Sequence, residues 1–267
     1  MPAIKLKVFP LLEKIRAESP VVHHLTNWVT IYDCAQVVKV LGGSPVMAHA
    51  REEVEEMAQI AAALVLNIGT LTVEMVEAMK LAAQSANAKG IPVILDVCGA
   101  GATTMRDRKV FELLDEVRIA LIKGNASEVA RISGAAVRTK GVDATEVALD
   151  LEEVGQSLAS KRHCTVVITG PEDLVVDGSR RLAVKNGHPL MSRVVGTGCM
   201  AASVIGTFAA VEPDLTLAAT AGLVCFNVAG ELAAELSPGP GTFKVKLFDC
   251  LDSLDEQILA ERRRVSG

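Results

Sequence analysis

The stretch Ala63-Leu64-Val65-Leu66-Asn67-Ile68-Gly69-Thr70 is a short apolar run that ends in a polar, glycine-containing turn. The same pattern returns at Pro92-Val93-Ile94-Leu95 before Asp96-Val97-Cys98-Gly99, and at Ile119-Ala120-Leu121-Ile122 before Lys123-Gly124-Asn125. It returns once more at Thr165-Val166-Val167-Ile168 before Thr169-Gly170. Helix-period segments lie between the runs, near 72–89, 106–117 and 143–162. Apolar strands alternating with amphipathic helices predict an α/β chain with a mostly parallel central sheet and helices on both faces. Val175-Val176 and Arg181-Leu182-Ala183-Val184 flank Asp177-Gly178, a hairpin signal that predicts an antiparallel edge. No repeat or Pro/Gly/Ser linker divides the chain, so one domain over 1–267 is expected.

Ligands of open α/β sheets bind beyond the carboxyl ends of the strands. Any one of the four endings is ordinary turn chemistry. Four in register read as a row of site loops.

Composition narrows the function classes. Of 267 residues, 50% are apolar and 22% charged, which excludes intrinsic disorder. The net charge is −5 and the densest basic run is only Arg262-Arg263-Arg264, so a nucleic-acid surface is not expected. Six widely spread cysteines without a C-x-x-C pair read as reduced thiols, and a cytoplasmic location is expected. Val194 to Val211 and Leu215 to Gly230 are free of charge and suggest a membrane hairpin as an alternative. Both stretches are short, rich in small and hydroxyl residues, and lack a basic flank, so two buried helices and no membrane are expected. His23, His24 and His49 lack zinc-ligand spacing.

Several motifs bear on chemistry. Gly196-Thr197-Gly198-Cys199 opens a long uncharged helical pattern, and such a start offers backbone N–H groups to a phosphate or developing anion. No Gly-Lys-Ser/Thr follows, so it is not a Walker A loop. At that helix start the Cys199 thiol is placed for a lowered pKa. Asn125 and Glu128 have capping-box spacing, and Glu128 with Asp96 also makes a carboxylate pair suited to Mg²⁺. Gly99-Ala100-Gly101-Ala102-Thr103 is a candidate polyphosphate loop, with Lys123 as a nearby cation.

These segments, in this order, resemble the hydroxyethylthiazole kinase family of the ribokinase-like superfamily. The resemblance covers nearly the whole chain. It rests on Thr26-Asn27-Trp28-Val29-Thr30, Ser44-Pro45-Val46-Met47-Ala48, Asn67-Ile68-Gly69-Thr70-Leu71, the Asp96 and Gly99–Thr103 region and Gly124-Asn125-Ala126-Ser127-Glu128. Ile168-Thr169-Gly170, Asn186-Gly187-His188-Pro189-Leu190, Gly196–Cys199 and Gly239-Pro240-Gly241-Thr242-Phe243 complete it.

The resemblance implies a ribokinase-like three-layer fold and transfer of the ATP γ-phosphoryl group to 4-methyl-5-(2-hydroxyethyl)thiazole. It also implies Mg²⁺ and a homotrimer with active sites between subunits. By position it assigns the thiazole to Asn27, Met47, Gly69 and Gly196, and ATP to Lys123, Asn125 and Thr169. It gives Mg²⁺ to Asp96 and Glu128, the anion hole to Gly196 and Gly198, and the thiol at the reacting alcohol to Cys199. The chain departs from the family pattern at Lys123 in place of Arg, at Val97-Cys98 in place of Pro-Val, and at Val195 in place of Thr. A Lys keeps the charge but loses the bidentate grip on phosphate. With only eight aromatic residues, adenine is expected to be held by aliphatic side chains and backbone. The alternatives are a related kinase for a pyrimidine alcohol or a sugar, and a nucleotide- or thiamine-binding module without turnover.

Overall fold

A computed structural model describes residues 6–134 and 150–267. The chain begins α1 (Val8–Glu18), β1 (Val21–Leu25), α2 (Ile31–Val40), β2 (Ser44–Val46), α3 (Val54–Ile60). It continues β3 (Ala63–Asn67), α4 (Val73–Lys89), β4 (Val93–Asp96), α5 (Thr104–Glu116), β5 (Leu121–Asn125), α6 (Ala126–Ser133). After the gap come α7 (Leu151–Arg162), β6 (Thr165–Thr169), β7 (Asp173–Val176) and β8 (Arg181–Val184). A 3-10 turn at Pro189–Arg193 leads to α8 (Thr197–Ala209), α9 (Leu215–Glu235), α10 (Pro240–Asp252), α11 (Glu256–Arg262) and β9 (Val265–Ser266).

Among the described residues, all nine strands share one sheet in the order β2-β1-β3-β4-β5-β6-β7-β8-β9. Pairing is parallel from β2 through β6 and antiparallel from β6 to β9. The expected hairpin is β7–β8, and the Asp177 carboxylate closes its turn by accepting from the Ser179 and Arg180 N–H groups.

Because successive strand side chains alternate, the fully buried strands feed two separate cores. Ala63 and Val65 of β3 enter one core with α1, α2, α8, α9 and α10; Leu64 and Leu66 enter the other with α4, α5, α6 and α7. This is the predicted three-layer arrangement. It adds β1, β2 and β9, which no apolar run announced: β1 carries His23 and His24, β2 has Pro45 at its centre, and β9 is two residues long. Of the predicted helix near 143–162, the part 143–149 lies outside the described residues.

The two uncharged stretches are interior helices. All of α8 from Cys199 onward is buried, and α9 packs along it as the one described helix long and apolar enough to cross a membrane. Its most apolar window is 78% buried within the protein itself. Close approach of α8 to the sheet depends on Gly206, where a Cβ would fall 2.3 Å from Val65 Cγ2.

Candidate functional site

The parallel strands end in a row of polar side chains along one edge. Register pairs Asn67 with Asp96, Asp96 with Lys123, and Asn125 with Thr169. Asn27 follows β1 two residues on. Hydrogen bonds join the row: Asn67 Nδ2 donates to Asp96 Oδ2 at 2.7 Å, and Asn67 Oδ1 accepts from Asn27 Nδ2 at 3.0 Å and from the Gly69 N–H at 2.9 Å. Gly69 has no room for a side chain, since a Cβ would meet Asn67 Oδ1 at 3.0 Å and Asn27 Cβ at 3.1 Å. Arg106 ties two loops together by donating to the carbonyls of Ile68, Gly69 and Cys98. The sequence gives no sign of a role for Arg106, and Asn67 is legible only as the first residue of the strand ending Asn67-Ile68-Gly69-Thr70.

The start of α8 meets this row. Gly196 caps the helix at φ +95°, a conformation that favours glycine, and a Cβ there would fall 2.5 Å from Thr30 Cγ2. No side chain caps α8, so its first-turn N–H groups keep their positive end toward the site. Cys199, in that first turn, accepts a hydrogen bond from Asn27 Nδ2 at 3.3 Å. The Asn27 amide is oriented by three donors to its Oδ1: the N–H groups of Val29 and Thr30 and the Thr30 hydroxyl. A hydrogen bond from the Cys98 thiol, opposed by burial and aided by the Lys123 charge, holds the Cys199 thiol down at about 5. The same pairing pushes Cys98 up. The sequence therefore brings together Asn27, Gly69, Gly196 and Cys199. Met47 is half-buried just beyond β2, with no polar contact from its side chain to this corner.

Lys123 lies between the row and α8. Its ammonium is 3.3 Å from Asp96 Oδ1, and a Cβ on Gly198 would be 3.2 Å from it. Both members of the pair are buried. Burial raises the Asp96 carboxyl above the carboxylate range, opposed by Lys123; the Lys123 ammonium is held charged by Asp96 against its own burial.

Glu128 and Asn125 form the capping box. Asn125 Oδ1 accepts from the Glu128 N–H at 2.9 Å, and Glu128 Oε2 from the Asn125 N–H at 2.8 Å. The other Glu128 oxygen accepts from Gly99 N–H at 2.7 Å, and Asp107 accepts from Gly101 N–H at 2.7 Å. The candidate polyphosphate loop thus has two of its amides directed at carboxylates of its own fold. Among the described residues, no group of three or more His, Cys, Asp or Glu is placed to hold a metal ion.

A cavity of about 540 Å³ opens on the other side of the α8 start, a size ordinary for a cofactor site. Thr169, Gly170, Thr197, Gly198 and Ala201 line it, with Asp173, Asn186 and Asn227 among its polar groups. Its apolar wall is Pro171, Pro189, Met191, Leu223 and the ring of Phe226, and the His188 imidazole also lines it. Successive residues of one helical turn therefore serve two chambers. Gly198 faces the cavity and Cys199 faces the Asn27 corner.

The hydroxyethylthiazole kinase family matches residues 12–257 of this chain. A hydroxyethylthiazole kinase of Methanosarcina mazei is 52% identical over 93% of this chain and 96% of its own. A solved hydroxyethylthiazole kinase of Pyrococcus horikoshii superposes with a TM-score of 0.89 at 38% identity, covering 97% of this chain and 98% of its own. A ribokinase-like superfamily protein of Enterococcus faecalis, at 15% identity, has a TM-score of 0.64 over 91% of this chain and 93% of its own, and shares the fold.

Proposed function

The chain belongs to the hydroxyethylthiazole kinase family, and from that premise we propose that it transfers the γ-phosphoryl group of ATP to the primary alcohol of 4-methyl-5-(2-hydroxyethyl)thiazole in thiamine salvage. The observation that carries the reading is the shared first turn of α8, with a nucleotide-sized cavity against Gly198 and a buried polar corner against Cys199. Phosphoryl transfer asks mainly for positioning and neutralisation of charge. The first-turn N–H groups of α8 and the Lys123 ammonium supply positive potential where the phosphoryl group passes. Asn27, Gly69, Gly196 and Met47 hold the thiazole alcohol; Thr169, Lys123 and the Asn125 loop take the nucleotide. Cys199, with its depressed pKa, accepts the alcohol proton as the O–P bond forms.

Mg²⁺ is the expected partner of ATP. It takes one or two carboxylates and completes its shell with water and phosphate oxygens. Glu128 and Asp96 would hold it through water: Glu128 accepts the Gly99 and Asn125 N–H groups, Asp96 accepts the Asn67 amide and the Lys123 ammonium, and each carboxylate keeps lone pairs for a bound water. Held there, Mg²⁺ would neutralise phosphate charge.

We read 1–267 as one domain, supported by the single continuous sheet. A homotrimer with thiazole sites between subunits is supported by Trp28, Val29, Tyr32 and Val195, exposed apolar side chains beside the Asn27 and Gly196 loops. The six free cysteines support a cytoplasmic, reducing location. The test is incubation of the purified protein with Mg·ATP and the thiazole. The thiazole monophosphate by mass spectrometry is the expected product, and none from any nucleoside triphosphate overturns the reading.

A further inference from the structure

Asn227 lies inside α9, 5% exposed, in the wall of the cavity. Its Nδ2 donates to Asp173 Oδ2 at 2.7 Å and to the Asn186 carbonyl at 3.0 Å. Both partners are acceptors, so the amide nitrogen is fixed on that side and Oδ1 on the other. Asp173 is held in turn, its Oδ1 accepting from the Gly170 N–H at 3.0 Å. Asn186 has its own amide engaged by Glu231, the Arg262 carbonyl and the Arg264 N–H. The two printed bonds of the Asn227 side chain both use Nδ2, Oδ1 has no partner among the described residues, and the residue lines the cavity. An amide oxygen that water reaches accepts from solvent, and a ligand N–H that takes the water's place keeps that hydrogen bond. Gly187, at φ +132°, leaves the approach free of a side chain; a Cβ there would stand 3.9 Å from the Asn227 amide.

We propose that Asn227 Oδ1 reads the base of the phosphate donor by accepting a hydrogen bond from its exocyclic amino group, as on adenine. A base with an oxo group at that position meets Oδ1 acceptor to acceptor, with no proton between them. The inference rests on reading the cavity as the donor nucleotide's site.

Inosine triphosphate replaces adenine's amino group by an oxo group, carries a proton on N1 and keeps the sugar and phosphates, so it changes only that edge of the base. The kcat/KM for thiazole phosphorylation with ATP is expected to exceed that with inosine triphosphate by about tenfold or more. Asn227→Leu brings the ratio toward unity. Asp173→Asn lowers it independently, because the new amide nitrogen faces Asn227 as a donor and the Asn227 amide loses one of the two acceptors that fix its sense. Each ratio is taken on one preparation, so loss of folded protein cancels. Equal use of both donors by the wild type, or an unchanged ratio in both variants, overturns the proposal. Calorimetric titration with ADP and inosine diphosphate, without thiazole, separates the two readings. A preference for ADP that Asn227→Leu abolishes, with no thiazole phosphate from any donor, removes the proposed function and leaves the role of Asn227 standing. No preference for ADP removes that role.

Discussion

Cys199 has a neighbour on each side that favours its thiolate, the Asn27 amide and the Cys98 thiol, and it lies in the first turn of a helix without a side-chain cap. Cys199→Ala is expected to lower kcat by about 10²-fold with little change in thiazole KM, and Cys199→Asp to restore most of the rate. Steady-state kinetics decide this, and wild-type kcat in the Ala variant reduces the thiol to packing. His24 predicts a pH effect of a different kind. Its ring is buried, with Nδ1 against the Val22 carbonyl and Nε2 without a partner among the described residues, and burial lowers its pKa from 6.5 to about 4. The unfolded chain therefore binds the proton before the folded one does. The stability this contributes is present above about pH 6.5 and lost as the pH falls toward 4, amounting to at most about 3 kcal/mol. Urea midpoints at pH 7 and pH 5 should fall less in His24→Leu than in the wild type; an equal fall assigns the acid sensitivity elsewhere.

At the scale of elements, the helix that presents Cys199 is also the one pressed hardest on the sheet. A methyl group at Gly206 must displace Val65 of β3, so Gly206→Ala should cost about 1–3 kcal/mol in chemical denaturation. An unchanged midpoint would mean that α8 shifts freely over the strands. Strands β3 to β6 were legible because a strand buried on both faces is a continuous apolar run. β1 was not, since two of its five residues are histidines whose burial depends on tertiary contacts. The site was legible in the same uneven way. Asp96, Lys123 and Cys199 announce themselves as charge and thiol at strand ends and a helix start. Whether Glu128 caps a helix or serves a cation could not be read from a three-residue spacing, and the structure shows that the cap exists. The Asp173–Asn227 pair was invisible, because 54 residues separate partners that only the packing of α9 on β7 brings together.

For the whole molecule, exposed apolar residues gather where the strand-end loops emerge. Trp28 is 49% exposed, Tyr32 72% and Val195 71%, next to loops that carry Asn27 and Gly196. If three copies close over these loops, Tyr32→Lys should release monomers in light scattering and weaken thiazole binding together. A trimer that persists in the variant would place the subunit contact elsewhere. The opposite side of the sheet is finished within the chain: β9 covers β8, and Arg264 is held by Glu231 and the Lys185 carbonyl, so the terminal arginines form a fastening rather than a free basic tail. The scarcity of aromatic residues has an optical consequence. Trp28 is the only tryptophan of the chain, its backbone N–H donates to the Thr70 hydroxyl, and its ring lies edge-on to His49 at 4.7 Å. Its emission therefore comes from a single place, next to Asn27, and an unlabelled sample carries its own fluorescent reporter of the proposed alcohol site.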